Sequence, residues 1–181
     1  MRVQRNTLII LLCFVNYSGA SRGIGFGLVK HLLENIEGLR VVATARNLAT
    51  STQLTDLAKT YPKERLVLVQ LDTASAESYK TASADLAAAG VTSLDALVAN
   101  AGIGARYNTL ECPVADALDN YNTNVVGSML TVQAFHSLLD GPKVVAFVSS
   151  IMGSIHLASG ECVCCLLLCS YVPMLLCCMF V

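Results

Sequence analysis

The chain has 181 residues, and its 12 Lys and Arg stand against 13 Asp and Glu for a net charge of -1. That length supports one domain with a real core, and the charge balance excludes a basic nucleic-acid-binding protein or one drawn electrostatically to an anionic surface. Hydrophobic residues make up 54% and charged residues 14%, an apolar excess that is concentrated in "LIILLCFV" (8–15) and "CVCCLLLCSYVPMLLCCMFV" (162–181).

The first of these runs follows the basic stretch Met1–Arg5 and precedes the small residues Ser18 and Ala20. That is the outline of a short secretory signal. Cleavage there would remove the first strand of the domain, so "NTLIILLCFVNYSGA" reads instead as a buried strand. Directly after it, Gly19, Gly23, Gly25 and Gly27 crowd into nine residues. A tight strand-to-helix turn needs glycine where φ is positive, and again where a phosphate must approach the backbone. The helix after the loop offers free N–H groups and the positive end of its dipole. Taken alone, the loop is equally compatible with a plain strand–helix turn, because its spacing is not the commoner G-x-G-x-x-G.

The next helix is expected from Ile24 to Asn35, with Ile24, Leu28 and Leu32 forming its apolar stripe. Short Val- and Leu-rich runs at Arg40–Ala45, Leu66–Leu71, Leu94–Ala99 and Lys143–Ser149 suit strands buried on both faces of a parallel sheet. Ser75–Ala89 reads as a helix with Ser75 as its cap and Gly90 as its stop. Pro113–Leu139 reads as the longest helix. Pro113 suits its first turn, and Leu118, Tyr121, Val125, Ser128, Val132, Phe135 and Leu139 recur along one side. Gly141–Pro142 is expected to end it. Strands alternating with helices predict an α/β, Rossmann-like doubly wound parallel sheet, incomplete at its C-terminal end. Ligand residues of such a sheet should lie just beyond the carboxyl ends of the strands.

Six of the eight cysteines lie between Cys162 and Cys178. They are neither spread through the fold as a disulfide framework nor spaced as zinc-ligand pairs, so no metal site is expected. His31, His136 and His156 share no ligand spacing and read as surface or packing residues.

From Ser18 onward the chain resembles the glycine motif T-G-x-x-x-[AG]-x-G of the short-chain dehydrogenase/reductase family, with serine where threonine is usual. Further matches come in the family's order: "LDT" (71–73), "NAG" (100–102), Asn124 in "YNTNVVG", and "VSSIMGSI" (148–155). The style is that of fungal-type ketoreductases. The resemblance implies a cofactor cradle of Gly19, Ser21, Arg22, Gly23, Ile24 and Gly25. It further implies Asp72 at the adenine, Asn100, Ala101 and Gly102 beside the dinucleotide, and Ser150 and Asn124 as active-site residues.

Nucleotide-binding folds that prefer NAD(H) carry an acid after the second strand. Here that strand ends in Arg46, and Arg22 lies in the glycine loop. Guanidinium groups suit a 2′-phosphate, so NADP(H) is the expected cofactor, with NAD(H) second.

The resembled enzymes transfer hydride between the nicotinamide and a carbonyl carbon, and a Tyr-x-x-x-Lys pair beyond the serine manages the proton. The only tyrosine after Ser150 is Tyr171, which has Leu175 four residues on, and Lys143 is the last lysine. The expectation is therefore a ketone or carbonyl reductase by family, in a truncated or inactive form, as from a retained intron or frameshift. Residues 1–155 would form the nucleotide-binding domain and 156–181 an aberrant apolar tail. The alternative is a non-catalytic nucleotide-binding remnant. That tail is long enough to tether it to a bilayer but lacks basic flanks, so a cytoplasmic location is expected. A small carbonyl or hydroxyl substrate is expected, together with a homodimer through the 113–139 helix.

Overall fold

The computed structural model describes residues 7–11, 14–15, 23–104 and 111–149. The chain runs β1 (Thr7–Leu11), β2 (Phe14–Val15), α1 (Gly23–Asn35), β3 (Arg40–Ala45), α2 (Thr52–Thr60), β4 (Leu66–Gln70), α3 (Ala76–Ala88), β5 (Leu94–Ala99) and β6 (Gly102–Ile103). Then come α4 (Val114–Tyr121), a π turn (Asn122–Val126), α5 (Gly127–Phe135), a 3-10 turn (His136–Leu138) and β7 (Leu139–Phe147).

The main sheet has the order β4-β3-β1-β5-β7, and every pairing in it is parallel. Connections step from β1 outward to β3 and β4, then return to the other side for β5 and β7. The direction of winding thus reverses between β1 and β5, where a doubly wound sheet opens its ligand crevice. There β2 continues β1 in unchanged register: Leu11 pairs with Ala99, and Phe14 and Val15 pair with Gly102 and Ile103.

Alternation along each strand divides the core between the two faces. Val41, Ala43 and Ala45 pack with Leu66, with Val29 and Leu33 of α1, and with Leu54 of α2. Val42, Val67 and Val69 pack with Tyr79, Ala82 and Leu86 of α3 and with Phe135 of α5. Each fully buried aliphatic side chain among these contributes about 1.5–3 kcal/mol of transfer free energy.

Two arginines tie helix ends to the sheet. Arg65 donates to the carbonyls of Leu33 (2.9 Å) and Ile36 (3.0 Å) around the end of α1, where a helix leaves carbonyls unpaired, and to that of Leu39 (2.7 Å) just before β3. Arg40 does the same for Ala89 (2.7 Å) and Gly90 (3.2 Å) behind α3. Ser75 caps α3 by accepting from the Ser78 amide, and Gly90 takes φ +70° just past its end.

Three expectations are corrected. The buried side of α1 is Gly25, Val29 and Leu33, one residue on from the expected stripe, and Ile24 is 66% exposed. The helix expected from Pro113 to Leu139 is a run of shorter helical pieces that ends at Leu138, with Pro113 as N-cap rather than first-turn residue. Its buried residues are Asn120, Gly127, Thr131 and Phe135, while Leu118 and Tyr121 are exposed. Gly141–Pro142 does not end a helix but lies inside β7. Leu139 pairs with Leu94 and Val144 with Ala96, so the four residues 140–143 of β7 face Asp95 alone on β5. Proline is accommodated at such an irregularity because it has no N–H to give the ladder.

Candidate functional site

The expected site residues that are described gather at the carboxyl edge of the sheet. Arg46 follows β3, Asp72 follows β4, and Asn100, Ala101 and Gly102 follow β5. Ser149 follows β7, whose course is extended by a bond from the Val148 amide to the Ala99 carbonyl (2.8 Å). Gly19, Ser21, Arg22 and Ser150 lie outside the described residues, as does the 156–181 tail.

Gly23 opens α1 with φ +67°, a conformation that penalises any side chain with a Cβ. Ile24 projects outward, and Gly25 is buried at the first turn. Arg46 is exposed at the bend after β3. The loop after it is pinned by Asn47, whose Oδ1 accepts from the Ala49 amide (2.9 Å) and whose carbonyl accepts from Ser51 Oγ (2.6 Å).

The loop after β4 is held from both sides of Asp72. The Asp72 amide donates to Ser78 Oγ (2.9 Å), and its carboxylate accepts from the Ala74 amide (3.1 Å). Thr73 is buried beneath it.

Asn124 sits in the π turn and reaches across to β6. Its Oδ1 accepts from the Ile103 amide (2.8 Å), and its Nδ2 donates to the Ile103 carbonyl (2.9 Å). Its own carbonyl accepts from Ser128 Oγ (2.8 Å). A Cβ on Gly102 would stand 3.5 Å from Asn124 Oδ1, ordinary contact distance. A π turn replaces i→i−4 bonding with i→i−5, here from the Gly127 amide to the Asn122 carbonyl. The added residue rotates α5 relative to α4.

Sequence reasoning missed the residues behind this arrangement: Tyr79, Thr131, Gly127 and Thr73. All four are buried; Thr73 and Gly127 fall inside the "LDT" and "YNTNVVG" matches, whereas Tyr79 and Thr131 lie in no recognised motif. His31 bonds Asn35, and His136 bonds the Gln133 carbonyl, on exposed helix surfaces as expected. Glu77 raises the Lys80 pKa by hydrogen bond and charge, an exposed pair on α3. Among the described residues, no group of three or more His, Cys, Asp or Glu could hold a metal, and no helix is long and apolar enough to cross a membrane.

The positive-φ glycine at the opening of α1 and the Asn124-braced glycine strand after β5 fit a dinucleotide lying across the β1/β5 crevice, with Arg46 at its edge.

The chain is 37% identical over 140 residues to an uncharacterized oxidoreductase of Schizosaccharomyces pombe, covering 76% of this chain and 54% of that protein. It is 32% identical over 136 residues to the norsolorinic acid ketoreductase of Emericella nidulans, covering 72% of this chain and 50% of the relative. It thus spans about half the length of the curated relatives it matches. The structure resembles the NADPH-bound carbonyl reductase from chicken fatty liver with a TM-score of 0.80 at 28% identity, over 94% of this chain and 71% of that one. The family model described as short chain dehydrogenase matches residues 14–162, which takes in β2, the glycine loop and all the strand-end loops. With the motifs in order and the sheet wound as they require, this chain belongs to the short-chain dehydrogenase family.

Proposed function

We propose that the chain binds NADP(H) in the β1/β5 crevice and descends from carbonyl or ketone reductases. The observation that carries the reading is the convergence of Gly23, Arg46, Asp72 and Gly102 on one edge of a parallel sheet, at its change of winding. In this assignment the amides at the start of α1, with Gly19, Ser21 and Arg22 before them, hold the pyrophosphate. Asp72 lies at the adenine, and Asn100, Ala101 and Gly102 flank the nicotinamide half. Arg46 and Arg22 pair a 2′-phosphate, which distinguishes NADP(H) from NAD(H). The bound cofactor supplies or accepts hydride at its nicotinamide ring.

Asn124 fixes the strand beside that ring, and Ser150 would hydrogen-bond the substrate carbonyl. A proton donor must be brought toward working pH, because a tyrosine has an unperturbed pKa near about 10. No Tyr-x-x-x-Lys pair occurs in the 181 residues. The proposal is therefore that this chain by itself binds cofactor without reducing a carbonyl. In it residues 1–155 are the binding domain, 156–181 take no part in the site, and the location is cytoplasmic.

Calorimetric titration with NADPH and NADH, together with a turnover assay on the same preparation, tests the proposal. NADPH binding tighter than NADH with negligible turnover supports it. Equal binding of both, or turnover that depends on Ser150, overturns it.

A further inference from the structure

We propose that Tyr79 is a positioning residue for the cofactor crevice. It acts through the π turn and Asn124 to fix the strand after β5, while Gly127 in the same turn backs the loop after β4. The inference rests on the nucleotide-binding reading above.

Tyr79 lies on α3 with 4% of its surface exposed, its ring tilted 48° against Phe135 at 6.0 Å. Its hydroxyl donates to the Gly127 carbonyl at 2.8 Å and lies 2.9 Å from Thr131 Oγ1. A phenol has one proton, and a carbonyl can only accept. The proton of Tyr79 is therefore committed to Gly127, and Thr131, itself buried, donates to the phenol oxygen. The result is a closed polar link inside an otherwise apolar cluster, where an unmade bond would be costly.

What Tyr79 grips is the hinge of the site. Gly127 closes the π turn, and a Cβ on it would meet the Thr73 carbonyl oxygen at 2.9 Å and Thr73 Cβ at 3.0 Å. Its backbone therefore presses on the loop that carries Asp72. Three residues earlier, Asn124 holds both polar groups of Ile103. A single helical turn thus touches the loop assigned to the adenine and the strand assigned to the nicotinamide half. Single π turns inside helices are rare and frequent at functional sites, and Tyr79 grips the end of this one from α3.

The test compares wild type with Tyr79→Phe, which keeps the ring and deletes the hydroxyl. In the free protein, hydrogen exchange at the Ile103 amide should quicken about tenfold, the scale of one buried hydrogen bond, while amides of β5 keep their protection. NADPH affinity should fall about tenfold by the same measure, whereas affinity for 2′,5′-ADP, which carries only the adenosine half, stays within about twofold. On an Asn124→Ala background the same change should cost NADPH affinity little, because the two substitutions act on one element. If Tyr79→Phe does not fold, Gly127→Ala reads the other loop and should weaken 2′,5′-ADP binding by displacing Thr73. Unchanged Ile103 exchange, equal losses for both ligands or additive losses in the cycle would overturn the proposal. Failure of wild type to bind either ligand would instead retire the nucleotide reading, and the exchange comparison would still decide whether Tyr79 braces Ile103.

Discussion

Asn124 satisfies both polar groups of Ile103, accepting from its amide at 2.8 Å and donating to its carbonyl at 2.9 Å. A side-chain amide here does what a neighbouring strand would do on the far side of β6 from β2. Asn124→Asp keeps the size but cannot donate to the Ile103 carbonyl, and it sets a carboxylate beside that oxygen. We expect it to destabilise the fold by about 1–3 kcal/mol, the cost of an unsatisfied group in a partly buried place. Urea denaturation measures this. NADPH binding should weaken further in Asn124→Asp than in Asn124→Ala.

Arg46 stands at the end of β3, where an acid would favour NAD(H). Reversing its charge with Arg46→Asp should reduce NADPH affinity by about tenfold to a hundredfold, the range of one or two charge-assisted hydrogen bonds. NADH affinity should change little or rise. Isothermal titration with each dinucleotide gives the ratio directly, and an unchanged ratio would remove Arg46 from the site.

Arg65 ties β4 to the end of α1 and to the residue before β3 through three carbonyls, with its guanidinium 5.9 Å from the Tyr61 ring centroid. Arg65→Met retains much of the apolar stem and loses the donors. It should lower stability by about 1.5–3 kcal/mol and leave the NADPH to NADH preference as in wild type. Chemical denaturation beside a binding titration separates these effects.

Val144 and Val148 are 50% and 42% exposed along and just past β7, the last strand of the sheet among the described residues. Exposed apolar side chains beside an open strand edge favour self-association. Val144→Lys with Val148→Lys should reduce light scattering at high protein concentration without weakening NADPH binding. Equal scattering from the variant and wild type would place the sticky surface elsewhere, for example on α4, where Val114 and Leu118 are exposed. That second face is the one proposed for a homodimer.

Much of this was legible in the sequence, for reasons that are local. Arg40–Ala45 and Leu94–Ala99 are strands over the expected spans, because buried parallel strands are continuous apolar runs. Ser75 and Gly90 bound α3 because cap and stop are written in single residues. Periodicity placed the buried face less well. On α1 the sheet takes Gly25, Val29 and Leu33, while Leu28 and Leu32 flank them, so a broad apolar stripe left the contact line undetermined by one residue. Between α4 and α5 the π turn inserts an extra residue and rotates the helix after it, which a regular repeat cannot anticipate. Asp72 and Asn100–Gly102 lie just past the ends of β4 and β5, the strand-end position that the sequence assigns to ligand residues of such a sheet. Tyr79 and Thr131 were not legible, because the partners of Tyr79 lie 48 and 52 residues away.

The central claim is that this edge of the sheet holds a phosphorylated dinucleotide. Calorimetric titration of the folded 181-residue chain with NADPH, with circular dichroism on the same sample, tests it most directly. The account predicts saturable one-to-one binding, stronger than for NADH and weakened by Arg46→Asp. A folded sample that releases no heat with NADPH, or that binds NADPH as tightly with Asp at position 46 as with Arg, would contradict it.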